Sequence, residues 1–535
     1  MRLTAAVFLV VSALVFIRPD PVEAWSSNDR AVAVFGGGVS TYAHGYSVVV
    51  DSSGNIYTTG KFGSAGAGNV TVDFDPGPGT ANLTPNGHYD AFVSKLDSSG
   101  DLVWAKSFGG GETEESLSVA VDSSGNVYTT GRFMATVDFD PGAGTEELTS
   151  VGTHDVFVSK LDSSGNYVWA KNFGSVAGMF SFSRGEAVAV DSSDNVYITG
   201  SFTGTVDFDP GPGTANLTAS NNSKTFVLKL DSSGNLVWVK QIGGRTVTSI
   251  ALDSSGNVYT TGDFNGTADF DPGAGTTNLT QNGGGYDAFV SKLDSSGDLV
   301  WAKSFGGSGP HSLYSNSVAV DSSGNVYTTG QLWSTADFDP GPGTTNLTSV
   351  SGTDVFVSKL DSSGDLVWAA NFGGEGTSAE DGTSVAVDSS GNAYITGEFT
   401  GPADFDPGAG TTTLTPAPPD NASDCPCNRE VFVLKLGSSG DLVWAKSFGN
   451  YSGEEVESIA VDSSGNVYTT GRFSGTVDFD PGPGTTSLGD EYSNVFVSKL
   501  DSSGNLAPAV AATPGTPGFT LSTTSVSVAE SGTTA

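Results

Sequence analysis

Cysteine is nearly missing from this 535-residue chain: there are two, Cys425 and Cys427, in one short stretch. Disulfides therefore cannot frame a chain this long, and Cys425-Pro-Cys427 reads as a local disulfide or two exposed thiols. A zinc clip there would need four ligands, and no histidine is near in sequence. Histidine is scarce as well: His44, His88, His154 and His311 are the four, and none recurs at a repeated register. Basic residues are few, 22 Lys and Arg against 59 Asp and Glu, which leaves a net charge of −37. So acidic a surface repels a phosphate backbone and excludes nucleic acid as a partner class. Long helices are excluded by 73 Gly and 23 Pro, residues that interrupt them. Glycine shows no every-third-residue period, so the chain is not collagen-like. The 37% hydrophobic and 10% aromatic content is too rich for a disordered acidic chain. What is left is a glycine-rich β protein.

The first 24 residues read as a secretory signal peptide. Met1-Arg2 gives a positive start, Leu3 to Ile17 is a mostly apolar run too short to span a bilayer comfortably, and Val22-Glu23-Ala24 offers a small-residue cleavage site. No second apolar stretch of membrane length follows. The mature chain is therefore expected to be exported, secreted or at a cell surface, without membrane insertion.

Internal repetition dominates the rest. The segment Val121-Asp-Ser-Ser-Gly-Asn-Val-Tyr-Thr-Thr-Gly131 recurs with Asp51, Asp122, Asp191, Asp253, Asp321, Asp388 and Asp462 in the same place, 62 to 74 residues apart. Each copy continues through Asp-Phe-Asp-Pro-Gly, a Phe-Val-Ser-Lys-Leu-type segment, a second Asp-Ser-Ser-Gly, and usually Leu-Val-Trp-Ala-Lys-Ser-Phe-Gly-Gly. Asp opens and Gly closes each short turn, and the flanking runs are β-branched and aromatic, so each copy predicts two hairpins, or four strands. Seven four-stranded units predict a seven-bladed β-propeller. The seventh copy lacks its last strand, reading Ala507-Pro-Ala-Val510 after Leu506. An orphan strand with the matching Phe-Gly-Gly ending, Ala31-Val-Ala-Val-Phe-Gly-Gly37, precedes the first copy. The N-terminal strand is thus expected to complete the last blade and close the ring.

These motifs, Asn-Val-Tyr-Thr-Thr-Gly, Phe-Val-Ser-Lys-Leu-Asp-Ser-Ser-Gly and Val-Trp-Ala-Lys-Ser-Phe-Gly-Gly, resemble the bacterial β-propeller repeat known as SBBP, over about residues 31 to 506. The resemblance implies a propeller in an exported, often modular surface protein and carries no established catalytic residues. The domain reading is residues 1–24 signal peptide, 25–510 propeller, 511–518 a stiff Pro/Gly/Thr linker, and 519–535 the first strands of a truncated module. That last piece is similar to the opening of a Calx-beta or cadherin-like sandwich, so the chain is expected to continue past Ala535.

Strand topology places the two hairpin turns of every blade on one rim and the longer connections on the other, so all Asp-Phe-Asp loops share the long-loop rim. Alternation puts Val137 and Phe139 on one side of their loop, and Asp138 and Asp140 on the other. The seven pairs are Asp73 and Asp75, Asp138 and Asp140, Asp207 and Asp209, Asp269 and Asp271, Asp337 and Asp339, Asp404 and Asp406, and Asp478 and Asp480. Paired carboxylates at this spacing suit either capping of the loop or calcium, although Pro76 and its equivalents stand where a full calcium loop wants polar side chains. The hairpin Asp residues, Asp97 for example, read as turn formers, and Gly437 replaces one of them. Trp104, Trp169, Trp238, Trp301, Trp368 and Trp444 share one outer-strand register and read as packing between blades. A sugar-binding platform is the sharper alternative. Asn82, Asn216, Asn278 and Asn346 open Asn-Leu-Thr, a glycosylation acceptor whose recurrence duplication explains equally well.

Catalytic motifs are not evident: there is no Gly-x-Ser-x-Gly elbow, no His-Glu-x-x-His and no phosphate loop. Sialidase-like sites need clustered Arg, and this chain has eight, two of them in the leader. The reading is a non-catalytic adhesion or interaction scaffold, a monomeric propeller within a longer chain, meeting a protein or glycan and needing no cofactor beyond structural calcium. The alternative is a glycan hydrolase or lyase working in the funnel. Asymmetry between copies is expected in loops: residues 63–69, 176–184 and 416–429.

Overall fold

In the computed structural model the described residues are 32–37, 41–66, 70–175, 182–307, 313–374, 379–416, 429–450, 453–489 and 492–506. Cys425, Cys427, the leader, the linker and the Calx-beta-like segment lie outside them. All regular structure among them is β, arranged as seven blades of four antiparallel strands. In the first blade the inner strand is Tyr42–Val50, followed by Ile56–Gly63, Tyr89–Leu96 and an outer strand, Leu102–Gly110.

The last blade is completed from the other end of the chain. Its first three strands are Glu455–Val461, Val467–Phe473 and Asn494–Leu500, and Val32–Gly37 pairs with the third, Val32 opposite Ser498 and Phe35 opposite Val495. The ring is therefore closed by the N-terminal strand, as expected. Val32, Ala33 and Phe35 are fully buried in this position.

The hairpin turns form because each Asp side chain replaces missing backbone partners. Asp51 Oδ1 accepts the amides of Ser53 and Asn55 at 2.8 and 3.0 Å, and Gly54 takes a left-handed φ of 82°. Tyr57 Oη donates to Asp51 Oδ2 at 3.0 Å, tying the second strand to the turn, and the same bond recurs in all seven blades. Where Gly437 stands in place of Asp, the backbone bond from Gly440 N to Gly437 O, 2.9 Å, still forms the turn.

Tryptophan fastens neighbouring blades on this rim. Trp104 Nε1 donates to Ser163 O of the next blade at 3.2 Å, and the bond repeats from Trp169, Trp238, Trp301, Trp368 and Trp444. A Cβ at Gly165, with φ of 77°, would meet the Trp104 ring at 3.0 Å, so the turn that receives the indole needs glycine for space as well as conformation.

The Asp-Phe-Asp segment makes a second fastening on the opposite rim. Its small hairpin pairs with the Phe-Gly-Gly end of the preceding blade's outer strand: Val137 with Gly110, Ala403 with Gly374, and, across the closure, Val72 with Gly37. The Phe between the two aspartates is buried and packs on the Phe of that preceding strand, with centroids 5.3 Å apart for Phe35 and Phe74 and 5.5 Å for Phe305 and Phe338. At the joint between the third and fourth blades Ile242 takes the place of that Phe and packs in one cluster with Phe270. Six of the seven joints are thus latched at both rims, while the joint between the last and first blades, whose outer strand Val32–Gly37 carries no Trp, has the Asp-Phe-Asp fastening without the indole.

Candidate functional site

Near-identical blades make the positions that differ informative. Three registers differ from blade to blade although their surroundings repeat. Seven residues before the first hairpin Asp stand His44, Glu115, Arg184, Thr246, Tyr314, Asp381 and Glu455. Five before it stand Tyr46, Leu117, Glu186, Thr248, Asn316, Thr383 and Glu457, and ten after it Lys61, Arg132, Ser201, Asp263, Gln331, Glu398 and Arg472. The first and third registers face each other across the ladder of the two innermost strands: His44 opposite Lys61, Glu115 opposite Arg132, Glu455 opposite Arg472. All three therefore lie at the long-loop end of the innermost strands, around the mouth of the central channel.

The mouth is a ring of paired charges. Glu115 joins two blades, meeting Lys61 and Arg132 at 2.7 Å each. Burial alone would raise its carboxyl, but the hydrogen bonds and charges of Arg132 and Lys61 bring it down to about 2. Arg245 meets Asp263 at 2.7 Å, Arg184 meets Glu186 at 3.2 Å, and Arg429 meets Glu398 at 2.6 Å. Burial pushes Glu398 up to about 7 against the pull of Arg429, and burial also raises Asp381 and Glu186. Asn316 donates to Asp381 at 2.9 Å across a blade boundary. His44 Nε2 lies 2.9 Å from Glu457 Oε1 across the closing joint.

Aromatic rings stand among these charges. Lys61 lies over Tyr42 and Tyr89, 5.5 and 5.3 Å from their centroids, and Arg245 lies 4.4 Å from that of Tyr286, itself 5.8 Å from Tyr314. Five of the eight arginines, Arg132, Arg184, Arg245, Arg429 and Arg472, are engaged here, each with a carboxylate. A low arginine count had argued against any such gathering. The signal was the residue after each Thr-Thr-Gly or Ile-Thr-Gly, which is basic, neutral or acidic in different copies inside the best repeated segment.

The sequence-derived pairs sit elsewhere, at the small hairpins around the periphery. In every blade the first Asp caps its own loop: Asp138 Oδ1 accepts the amides of Asp140 and Glu146 at 3.0 and 2.8 Å, and Asp478 those of Asp480 and Thr486 at 3.1 and 2.8 Å. The second accepts a glycine amide, Gly142 for Asp140 and Gly482 for Asp480, both at 2.7 Å. Asp73 with Asp75, Asp207 with Asp209, Asp269 with Asp271, Asp337 with Asp339, and Asp404 with Asp406 repeat the pattern. The pairs are spread around the ring, one per blade, and do not converge. Asn82, Asn216, Asn278 and Asn346 are exposed. The 63–69, 176–184 and 416–429 loops fall partly outside the described residues.

The class this geometry defines is a seven-bladed β-propeller with an irregular charged mouth on a regular frame. The family described as Beta-propeller repeat (SBBP) matches residues 237–271, 300–338 and 367–402. Among curated proteins, the chain is 25% identical over 492 residues to the Uncharacterized WD repeat-containing protein L264 of Acanthamoeba polyphaga mimivirus, covering 76% of this chain and 34% of that protein. It is 24% identical over 241 residues to the Regulatory protein FlaEY of Caulobacter vibrioides, covering 42% of this chain and 24% of that one. The chain thus matches about a third or less of either relative's length. Solved structures that it resembles include U3-55K, with a TM-score of 0.43 at 9% identity over 88% of this chain and 98% of the other, and the Dos1 propeller, at 0.38 and 9% over 87% and 93%. No helix among the described residues is long and apolar enough to cross a membrane.

Proposed function

We propose that the protein is a non-catalytic interaction scaffold, a propeller module of a secreted or surface multidomain protein, and that the channel mouth is its contact face for a protein or glycan. One observation carries the reading: blades that repeat almost residue for residue differ at three registers, and the three registers meet at one place. Tyr and Arg, the residue types concentrated there, are those enriched at the energetic centres of interfaces. The propeller fold and a relative named for WD repeats support an interaction role. The leader-like first 24 residues support export.

The test is to present the purified protein to a glycan array and to extracellular protein libraries, alongside two variants. Arg132→Ala with Arg245→Ala alters the mouth, and Ser163→Ala with Ser295→Ala alters the opposite rim. Binding lost only in the first supports the reading, and equal binding by both refutes it. The rival reading is a glycan hydrolase or lyase, favoured by the carboxyl of Glu398, raised to about 7 within the mouth. Turnover of a polysaccharide abolished by Glu398→Gln would replace the scaffold reading.

Calcium at the Asp-Phe-Asp loops is the second element of the proposal. Seven like-charged pairs on one rim of a chain at −37 support it, and the amide caps compete with it. Melting with millimolar calcium against excess chelator, with magnesium as control, separates the two. A calcium-specific rise establishes the ion, and equal melting leaves the caps alone.

A further inference from the structure

The joint between the last and first blades differs from the others in what faces it at the mouth. His44, on the inner strand of the first blade, is 4% exposed, and among the described residues its side chain makes one hydrogen bond, between Nδ1 and Tyr42 Oη at 3.2 Å. Its Nε2 is buried and makes no hydrogen bond: Glu457 Oε1 is 2.9 Å away, but off the direction in which a ring N–H points. Glu455 and Glu457 come from the inner strand of the last blade, and one ligand atom each of His44, Glu455 and Glu457 lie within 4.8 Å of one another.

We propose that His44, Glu457 and Glu455 form a divalent transition-metal site, of the zinc class, across the joint that closes the ring. A buried imidazole nitrogen beside a carboxylate oxygen, close but not hydrogen-bonded, is the arrangement of two ligands around a cation. The Tyr42 hydroxyl sits where it would accept Nδ1–H and hold the ring with Nε2 turned to the metal, the outer-shell contact that metal-bound histidines regularly have. One imidazole with carboxylates selects zinc and its neighbours over calcium and magnesium, which take oxygen ligands. Three protein ligands leave a position open toward the channel for water or for an oxygen of a bound molecule. Arg472 is the competitor, since it pairs with both oxygens of Glu455. His44 and Glu457 are therefore the principal ligands and Glu455 the weaker one. Asp381 and Glu398 add negative potential near Glu457, and Arg429 opposes it near Glu455. The site is distinct in chemistry and place from the peripheral aspartate loops and does not depend on the mouth being a docking face.

The experiment titrates the full-length chain with zinc ions against a chromophoric chelator, and with cobalt ions read by visible absorption. The expected result is one tight zinc per chain, a higher melting temperature with zinc than with calcium or magnesium, and cobalt bands in the visible. His44→Ala should weaken zinc at least tenfold and remove the cobalt bands, Glu457→Gln should weaken it about as much, and Glu455→Gln less. Both principal variants are to be melted without metal. Should His44→Ala fail to fold, Glu457→Gln, whose side chain is a third exposed, decides. Zinc binding that is absent, that survives both principal substitutions, or that calcium displaces at equal concentration overturns the site.

Discussion

The two rims of this propeller obey opposite rules. On the hairpin rim the same contacts recur from blade to blade: Asp caps its turn, Tyr bonds the Asp, and Trp reaches the next blade's serine carbonyl at 3.2 Å in all six blades that carry it. Around the channel mouth no two blades present the same set of side chains, and salt bridges, cation–π contacts and lone polar residues alternate without period. Repetition supplies a ring that tolerates change at a few positions, and those positions carry what distinguishes one blade from another. The contacts that hold the ring and the residues that vary between blades therefore lie at opposite rims, and mutation can separate them.

The largest effect is expected from deleting residues 32–37. This removes the buried Val32, Ala33 and Phe35 and leaves Asn494–Leu500 as an unpaired edge, at about 1.5–3 kcal/mol for each large apolar side chain alone. Loss of a cooperative melt, or a fall of well over 10 °C, is expected. A melt like that of the intact chain would show that the ring does not need closing. Next comes Phe338→Ala, which empties the latch between the fourth and fifth blades and should cost about 3–5 kcal/mol in denaturant titration. Trp301→Ala, at a partly buried position, should cost less, about 2 kcal/mol. If the two losses were reversed, the hairpin rim rather than the latch rim would be the chief fastening.

A pH titration sharpens the comparison from another side. Burial raises Asp90 and Glu398 to about 7, Asp287 to about 6, and Glu114 and Glu454 to about 8. Their folded-state values lie above the unfolded ones, so the stability they contribute is fully present below the ordinary carboxylate range and is lost as pH rises to about 8. Glu115 and Glu455 are lowered and act the other way, but their loss comes only at acid pH. Melting temperature should accordingly fall between about pH 5 and pH 8.5, and Glu114→Gln with Glu454→Gln should flatten the fall. A flat profile in the unaltered protein would mean that these carboxyls ionise freely in the fold. The smallest effect on stability is expected from Arg184→Ala at the mouth, within about 1 kcal/mol for a partly exposed pair. A larger loss would mean that the mouth is also structural.

The frame was legible in the sequence because a repeat displays its own alignment. Seven first-hairpin Asp-Ser-Ser turns, from Asp51 to Asp462, set the blade count, and the Phe-Gly-Gly ending of residues 31–37 identified the missing fourth strand. Alternation in Val-Asp-Phe-Asp put Val137 and Phe139 on one side and Asp138 and Asp140 on the other; the first two are buried and the aspartates cap the loop. That the same segment pairs with the preceding blade was not legible, because Val137 and Gly110 meet only once two blades are stacked. The mouth was missed for a different reason. Comparing copies draws attention to what they share, and Lys61, Arg132, Asp263 and Glu398 look like scatter until cross-strand pairing sets them beside His44, Glu115, Thr246 and Asp381. Charges from different blades then converge, which sequence spacing cannot show.

Closure by Val32–Gly37 also orders events in time. Synthesis runs from the N-terminus, so these residues emerge long before their partner, Asn494–Leu500. Six blades can stack as an open arc while the first strand, tied to the first blade at Gly36 and Gly37, waits with the edge that meets Asn494–Leu500 unpaired. The entropy of joining ends so far apart grows only slowly with length, so waiting rather than searching is the hazard. During that wait, the Val32–Gly37 strand of one copy fits the last blade of a second copy as well as its own. Refolding at high concentration should therefore trap strand-exchanged dimers that dilute refolding avoids.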